Sequence, residues 1–362
     1  MKPRPLYRII RMLLRILSLG CVLGTLGLQA WRLAHTAPSA LRPLRAMPYG
    51  LPFTTTLALN LAMLGAASVM ILLTFIVLMP SAPAYFLRCP DLLIPLGFLT
   101  PLGTLIMPRV AALLAQTGID AQRRDILLTA IVLILAAFFA AWITRLALSA
   151  VYHKQANALS ALRDLPRNFL RLLPLITVGW GLAQLGASLC TRLLFDISPL
   201  LTAIAGGIGA VCWNLVTSAL LPTATNPKLG YLQAITTGLE ISVHGLGRWL
   251  LPLLVQMALL GLVTGVYVTH PHTLPSQTQW HVNVFWTGGY ESMDRWYTDI
   301  SQAAGAPIVS LFQTVLILLF GIFAIGIKLI IVERMNPLRT YQHQEKPDPF
   351  ADEYEDNEEA ED

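Results

Sequence analysis

Residues 126–143 read I-L-L-T-A-I-V-L-I-L-A-A-F-F-A-A-W-I, with no Asp, Glu, Lys, Arg or His among them. Arg123, Arg124 and Asp125 stand just before the run and Arg145 just after it. At about 1.5 Å per residue, a helix of this length covers most of the roughly 30 Å hydrocarbon core of a bilayer. Nothing in that core replaces a missing backbone hydrogen bond, so the run predicts a helix that spans.

The same pattern recurs outward in both directions, at Thr55–Leu78, Leu172–Cys190, Pro199–Leu221, Pro307–Leu329 and Trp249–Val268. Two further segments are less regular. Ile16–Trp31 is short and follows an arginine-studded lead. Leu92–Leu114 is apolar but holds Pro95, Pro101, Pro108 and Arg109, which fits either a kinked span or a re-entrant segment.

Composition agrees. Of 362 residues, 55% are hydrophobic and 12% charged, and mean hydropathy is +0.61. A soluble domain is about 25% charged, so this chain has too few polar residues to cover a water-facing surface. The net charge of +5 is the difference of two opposed regions. Residues 345–362 hold ten acidic residues and one lysine, a net −9, and the remainder carries +14. The basic excess therefore comes from arginines at segment boundaries and excludes a nucleic-acid surface. Cys21, Cys89, Cys190 and Cys212 are scattered through apolar stretches, with no C-x-x-C pair and no disulfide framework.

Lys and Arg set the expected orientation. Arg145, Lys154, Arg163, Arg167 and Arg171 crowd one connection, whereas residues 269–306 hold only Arg295. The first is expected in the cytoplasm and the second outside. Eight spans give 17 positive charges inside and 8 outside; six spans, with both irregular segments excluded, give 19 and 6. Charge leans to six.

An internal repeat leans to eight. Arg15 opens R-I-L-S-L, Asp91 opens D-L-L-I-P-L, Arg171 opens R-L-L-P-L and Arg248 opens R-W-L-L-P-L, at separations of 76, 80 and 77 residues. Amphipathic leaders precede three of them. Arg4, Arg8, Arg11 and Arg15 face away from Leu6, Ile10, Leu13 and Leu17. Leu159, Leu162, Leu165 and Phe169 alternate with Arg163 and Arg167, and Leu232, Ile235, Leu239, Val243 and Leu246 keep helical spacing. Such leaders would lie in the membrane interface, apolar face down. Each unit is then an elbow and a hairpin of two spans, near 1–80, 81–148, 149–221 and 222–332, within a helical domain over 1–340. In the second unit Asp91 replaces the basic anchor, and Ala82–Pro90 is too short for a full elbow. The acidic tail at 341–362 is expected to be disordered by composition.

The stretch Leu162–Val268 resembles the membrane-integral domain found beside glycerophosphodiester phosphodiesterases, which is built of such elbow–hairpin units. Pro222, Gly230, Ala234 and Ser242 follow that family's order of a span-ending proline, a small residue, then an alanine and a serine on the elbow. The family's acidic residue between Pro222 and Gly230 is absent here. The resemblance implies an inner-membrane location and carries over no catalytic residue.

Chemistry is sparse. The spans Thr55–Leu78, Ile126–Ile143, Leu172–Cys190 and Pro199–Leu221 hold no ionisable side chain, which argues against proton-coupled transport. Lys328 reads as a boundary anchor that snorkels. Asn60, Gln184, Asn214, Gln256 and Gln313 read as hydrogen-bonding contacts between helices, and Gly20/Gly24, Ala136/Ala140, Ala205/Gly209 and Gly261/Gly265 as close-packing pairs. His270, His272 and His281 in the outer loop lack the spacing of a metal site. Trp280–Trp286 suggests a short hairpin, and Trp280, Phe285, Trp286, Tyr290, Trp296 and Tyr297 an aromatic belt. Thr237, Glu240 and His244 share the polar face of the fourth elbow, and His153 lies near Asp164. No catalytic, cofactor or metal residues are expected.

The resulting expectation is an all-helical, multi-pass bacterial inner-membrane protein of about eight spans, with six as the alternative, both termini cytoplasmic and a non-enzymatic accessory, scaffolding or envelope role. Its partners would be the lipid bilayer and a protein met by the acidic tail or by the outer loop 269–306. A permease component for a neutral or amphiphilic solute, such as lipid, is the alternative.

Overall fold

The computed structural model describes residues 5–46, 53–77, 79–194, 219–226, 229–244 and 306–334, with isolated positions at 251–255. Most of Pro199–Leu221 and Trp249–Val268, the aromatic loop with its suggested hairpin, and the acidic tail lie outside them. The described elements are helical. They are α1 (Pro5–Ala46), α2 (Phe53–Val77), α3 (Ser81–Arg88), a 3₁₀ turn (Pro90–Leu93), α4 (Ile94–Pro101), a π-helical turn (Leu102–Ile106), α5 (Met107–Gln116), α6 (Ala121–Tyr152), α7 (Ala158–Arg163), α8 (Leu165–Leu194), α9 (219–224), α10 (231–244) and α11 (Ala306–Arg334). Two helical stretches, Tyr7–Arg32 and Ile126–Tyr152, are long and apolar enough to cross a membrane.

The first leader does not form a separate elbow. It runs without a break into Ile16–Trp31 as part of the 42-residue α1. No glycine or proline interrupts residues 6–19, so nothing in the backbone favours a bend between leader and span. The buried face of α1 is polar, with Ser18, Thr25 and Gln29 almost fully enclosed, and Arg11 and Arg15 continue that stripe toward the start of the helix. Its outer face carries Met12, Leu13, Ile16, Leu17, Leu19 and Leu23. This inverts a water-soluble helix, where the apolar stripe faces the core.

The short segment after α2 does form a helix. Ser81–Arg88 is turned 97° from the preceding helix and is anchored by the fully buried Ala82. In the third unit the break falls at Asp164, between α7 and α8, so Leu165–Arg171 belong to the long helix rather than to the elbow.

Leu92–Leu114 is a single irregular helical path. The N–H of Leu102 reaches Phe98 O and Leu99 O, and that of Met107 reaches Leu102 O, so hydrogen bonding continues through the π turn. Pro101 and Pro108 remove two donors, and the wider turn accommodates the mismatch. This path lies along α6. Phe98 stacks on Trp142 with ring centroids 6.1 Å apart, and Met107 packs with Leu128 and Val132, joined by Leu99, Leu114 and Leu135. α4 also packs closely on α1. A methyl group at Gly97 would overlap Ser18 Oγ and come within 2.7 Å of Ser18 O, so only glycine fits there.

Ala136 and Ala140 pack as anticipated, buried between α6 and α8 with Leu172 and Ile176. Gly20 and Gly24 do not. Both are exposed, and a methyl group on either would meet nothing within 4 Å. Much of the described outer surface is apolar: Leu19, Leu23, Val69, Leu72, Val77, Ile126, Ile134 and Leu182 are exposed to between 49% and 69%. Water-soluble chains rarely present apolar area on this scale, whereas lipid tails solvate it.

Candidate functional site

The one buried carboxylate among the described residues is Asp91, at 0% exposure. It stands on the 3₁₀ turn that follows Pro90, where proline at the first position fixes φ and costs no backbone bond. Its side chain does not cap its own helix. Oδ1 accepts from Arg15 Nε at 2.5 Å. Oδ2 accepts from Arg11 Nε at 2.8 Å and from the backbone N–H of Ala158 at 3.0 Å.

Ala158 opens α7, whose first N–H groups have no partner within the helix. Asp91 satisfies one of them from 67 residues away. Asn157 satisfies the next two, its Oδ1 accepting from Leu159 N at 3.1 Å and Ser160 N at 3.4 Å. The start of α7 and the loop before it take three more donors, from α1, from α6 and from Cys89 between α3 and the 3₁₀ turn. Arg11 Nη2 donates to Ala156 O (2.9 Å), Trp142 Nε1 to Ala158 O (3.2 Å) and Cys89 Sγ to Lys154 O (3.5 Å). Lys154 sits in the left-handed region, at φ 53°. Burial pushes the Cys89 thiol up from its ordinary range. One carboxylate thus ties α1, the 3₁₀ turn and α7 together.

A second arginine clamp lies at the other half of the described chain. Arg171 donates to Ala224 O (3.3 Å), Asn226 O (2.5 Å) and Leu229 O (3.1 Å). Ala224 closes α9 and the other two carbonyls follow it, where a helix leaves acceptors unpaired and its dipole favours a cation. α10 packs on α9 at Gly238, with Ala234 and Ser242 also buried, while Leu232, Leu239 and Val243 are exposed. A methyl group at Gly238 would come within 2.8 Å of Leu220 Cα.

Lys328 is not a snorkelling anchor. It is 6% exposed, and its Nζ donates to Thr144 Oγ1 at 2.7 Å between α11 and α6. α11 is packed on α1, α2 and α6, so the side chain has no open path along a lipid-facing surface. Glu333, farther along α11, accepts from Ser81 Oγ at 3.0 Å.

Other singled-out residues are not brought together. His244 is exposed, and its Nδ1 pairs with the backbone oxygen of Glu240 at 2.9 Å rather than with the carboxylate. Asp164 accepts from Arg145 Nε at 3.0 Å in a half-exposed pair. Asn214, Gln256, His270, His272 and His281 lie outside the described residues, as do the side chains of Asn60, Gln184 and Gln313. Among the described residues no group of His, Cys, Asp and Glu is placed to hold a metal ion.

Sequence reasoning registered Asp91 only as a departure from the basic anchor. The available signal was complementarity: one acid opening an apolar segment, and a second helix with two arginines a turn apart at the matching repeat position. Ser18, Thr25 and Gln29 gave no signal at all, because polar residues of that size are common in apolar helices. No known protein family, characterised protein or solved structure matches the chain.

Proposed function

We propose that this chain is a non-enzymatic, multi-pass inner-membrane protein of eight spans with both termini cytoplasmic, serving as a scaffold or accessory component in the envelope. The observation that carries the reading is the Asp91 clamp. Asp91 accepts from α1 and from the first N–H of α7, which is the work of a framework rather than of a proton relay. The filled interior around it, with Phe98, Phe139, Trp142 and Leu146 in one cluster, supports the same reading.

The extent of Leu92–Leu114 favours eight spans over six. Its contacts follow α6 from Trp142 to Leu128, so it reaches as far as a helix long enough to cross. The arginine-rich connection 145–171 assigns the clamp end to the cytoplasm by charge asymmetry. The likeness to the phosphodiesterase-associated membrane domain belongs to this proposal. The burial of Ala234 and Ser242 on the elbow helix accords with it. The tail 341–362 would meet a basic partner surface, since ten carboxylates in eighteen residues repel the anionic inner leaflet.

The test is capture from membranes with the intact protein and with residues 345–362 deleted. A partner lost on deletion, at unchanged level of the membrane protein, is the expected result. Identical capture profiles would remove the tail from the scaffold reading.

One observation favours a permease component instead. Gln29 is buried on α1, and Thr100 and Thr104 are buried on the path that passes through the π turn. Gln29 Nε2 has no hydrogen-bond partner among the described residues. Irregular turns and underused polar groups inside a membrane often line a solute path. Osmotic swelling of proteoliposomes in glycerol or urea, abolished by Gln29→Leu, would favour this alternative.

A further inference from the structure

We infer that the outward side of the Asp91 clamp is a seat for the phosphate headgroup of an anionic phospholipid, an inference that rests on the membrane reading above. Asp91 engages only Nε of Arg15, and neither terminal nitrogen of that guanidinium has a protein partner among the described residues. Arg15 is 41% exposed and Arg11 27%. Arg8 lies one helical turn before Arg11 on the same face of α1 and is exposed. Arg88 is also exposed and, like Arg11, stands close enough to Cys89 to act on its thiol. Lys154, whose carbonyl meets Cys89, is exposed beside them.

The charge around this end is unbalanced. Arg8, Arg11, Arg15, Arg88 and Lys154 face two carboxylates, buried Asp91 and, nearer Arg88, Glu333. The surplus is positive, and guanidinium N–H groups in fork geometry match phosphate oxygens. A phospholipid fits better than a free anion because of what adjoins the arginines. Met12 and Ile16 flank the arginine face along α1 and are each more than half exposed. An acyl chain would lie along these residues while its phosphate meets Arg8 and the free nitrogens of Arg15. Basic pockets of this kind, at the cytoplasmic ends of spanning helices, select acidic lipids.

The experiment uses the full chain in nanodiscs of phosphatidylcholine with or without phosphatidylglycerol, and native mass spectrometry of the lipids retained. Retention of phosphatidylglycerol over phosphatidylcholine is expected, with a higher melting temperature in its presence. In Arg8→Gln, Arg88→Gln and the double variant, the preference should fall by roughly fivefold per arginine. Melting in pure phosphatidylcholine should not move, because neither side chain joins the Asp91 clamp. Equal retention of both lipids, or a preference unchanged in the double variant, would overturn the seat and leave the membrane reading standing. Equal stabilisation by inorganic phosphate in detergent would overturn the lipid as occupant. Failure of the purified chain to enter nanodiscs at all would overturn the membrane reading and the seat together.

Discussion

Arg15 and Asp91 occupy equivalent positions of two repeated sequence phrases, 76 residues apart, and they are bonded directly to each other, Nε to Oδ1 at 2.5 Å. Ser18 and Ile94 repeat the relationship at the same offset, Ser18 Oγ donating to Ile94 O at 3.1 Å. With the close approach of Gly97 to Ser18, these contacts set α1 beside the 3₁₀ turn and α4, running in the same direction. The acid that breaks the basic pattern of the repeat is thus the partner of the base that establishes it.

Removing Asp91 should cost more than removing an exposed acid. Asp91→Ala leaves the two guanidiniums and the Ala158 N–H without their shared acceptor. Breaking a buried pair costs about 3–5 kcal/mol, and the partial exposure of both arginines places the expected loss near the bottom of that range. Thermal unfolding in detergent measures it. Combining Asp91→Ala with Arg15→Ala should cost less than the sum of the two single changes. Strict additivity would mean that the pair is not coupled.

Topology can be read at three single cysteines in a chain otherwise free of them. Eight spans require a thiol at Ala84 to be shielded from an impermeant maleimide in intact cells, and six spans require it to react. A thiol at Ser276 should react from outside, and one at Ala360 only after permeabilisation. External labelling at Ala360 would reverse the orientation.

Two glycines should resist enlargement and a third should not. Gly97→Ala and Gly238→Ala force a methyl group against Ser18 and against the α9 backbone. Overpacking of this kind costs about 1–3 kcal/mol. Gly20→Ala meets open space within a helix and should be neutral or stabilising by up to about 1 kcal/mol. Melting temperatures of the three variants decide the matter. Equal behaviour at all three positions would contradict the described packing of α4 on α1 and of α10 on α9.

Cys89 should be inert while the chain is folded. It is 1% exposed, and burial raises its thiol pKa, so the reactive thiolate forms only at higher pH than for a free cysteine. Maleimide modification at neutral pH should be negligible in detergent and complete in denaturant. Rapid labelling of the folded protein, traced to Cys89 by peptide mapping, would mean that the loop 153–158 opens.

The sequence alone determined the helical class and where most of the long helices lie. Runs such as Ile126–Ile143 can satisfy their backbone groups in an apolar medium in no other single-segment form. It also marked the boundary arginines, because charge avoids the hydrocarbon region. It did not determine what those charges hold. Whether Arg11 and Arg15 rest on a membrane surface or grip a buried acid depends on contacts spanning 76 and 80 residues, which no local period encodes. The same holds for Lys328, whose enclosure depends on α11 lying against α6. Hydropathy is a property of each segment and survives its removal from the fold. The partner of a polar group belongs to the packing of one helix against another, and only the tertiary structure supplied it.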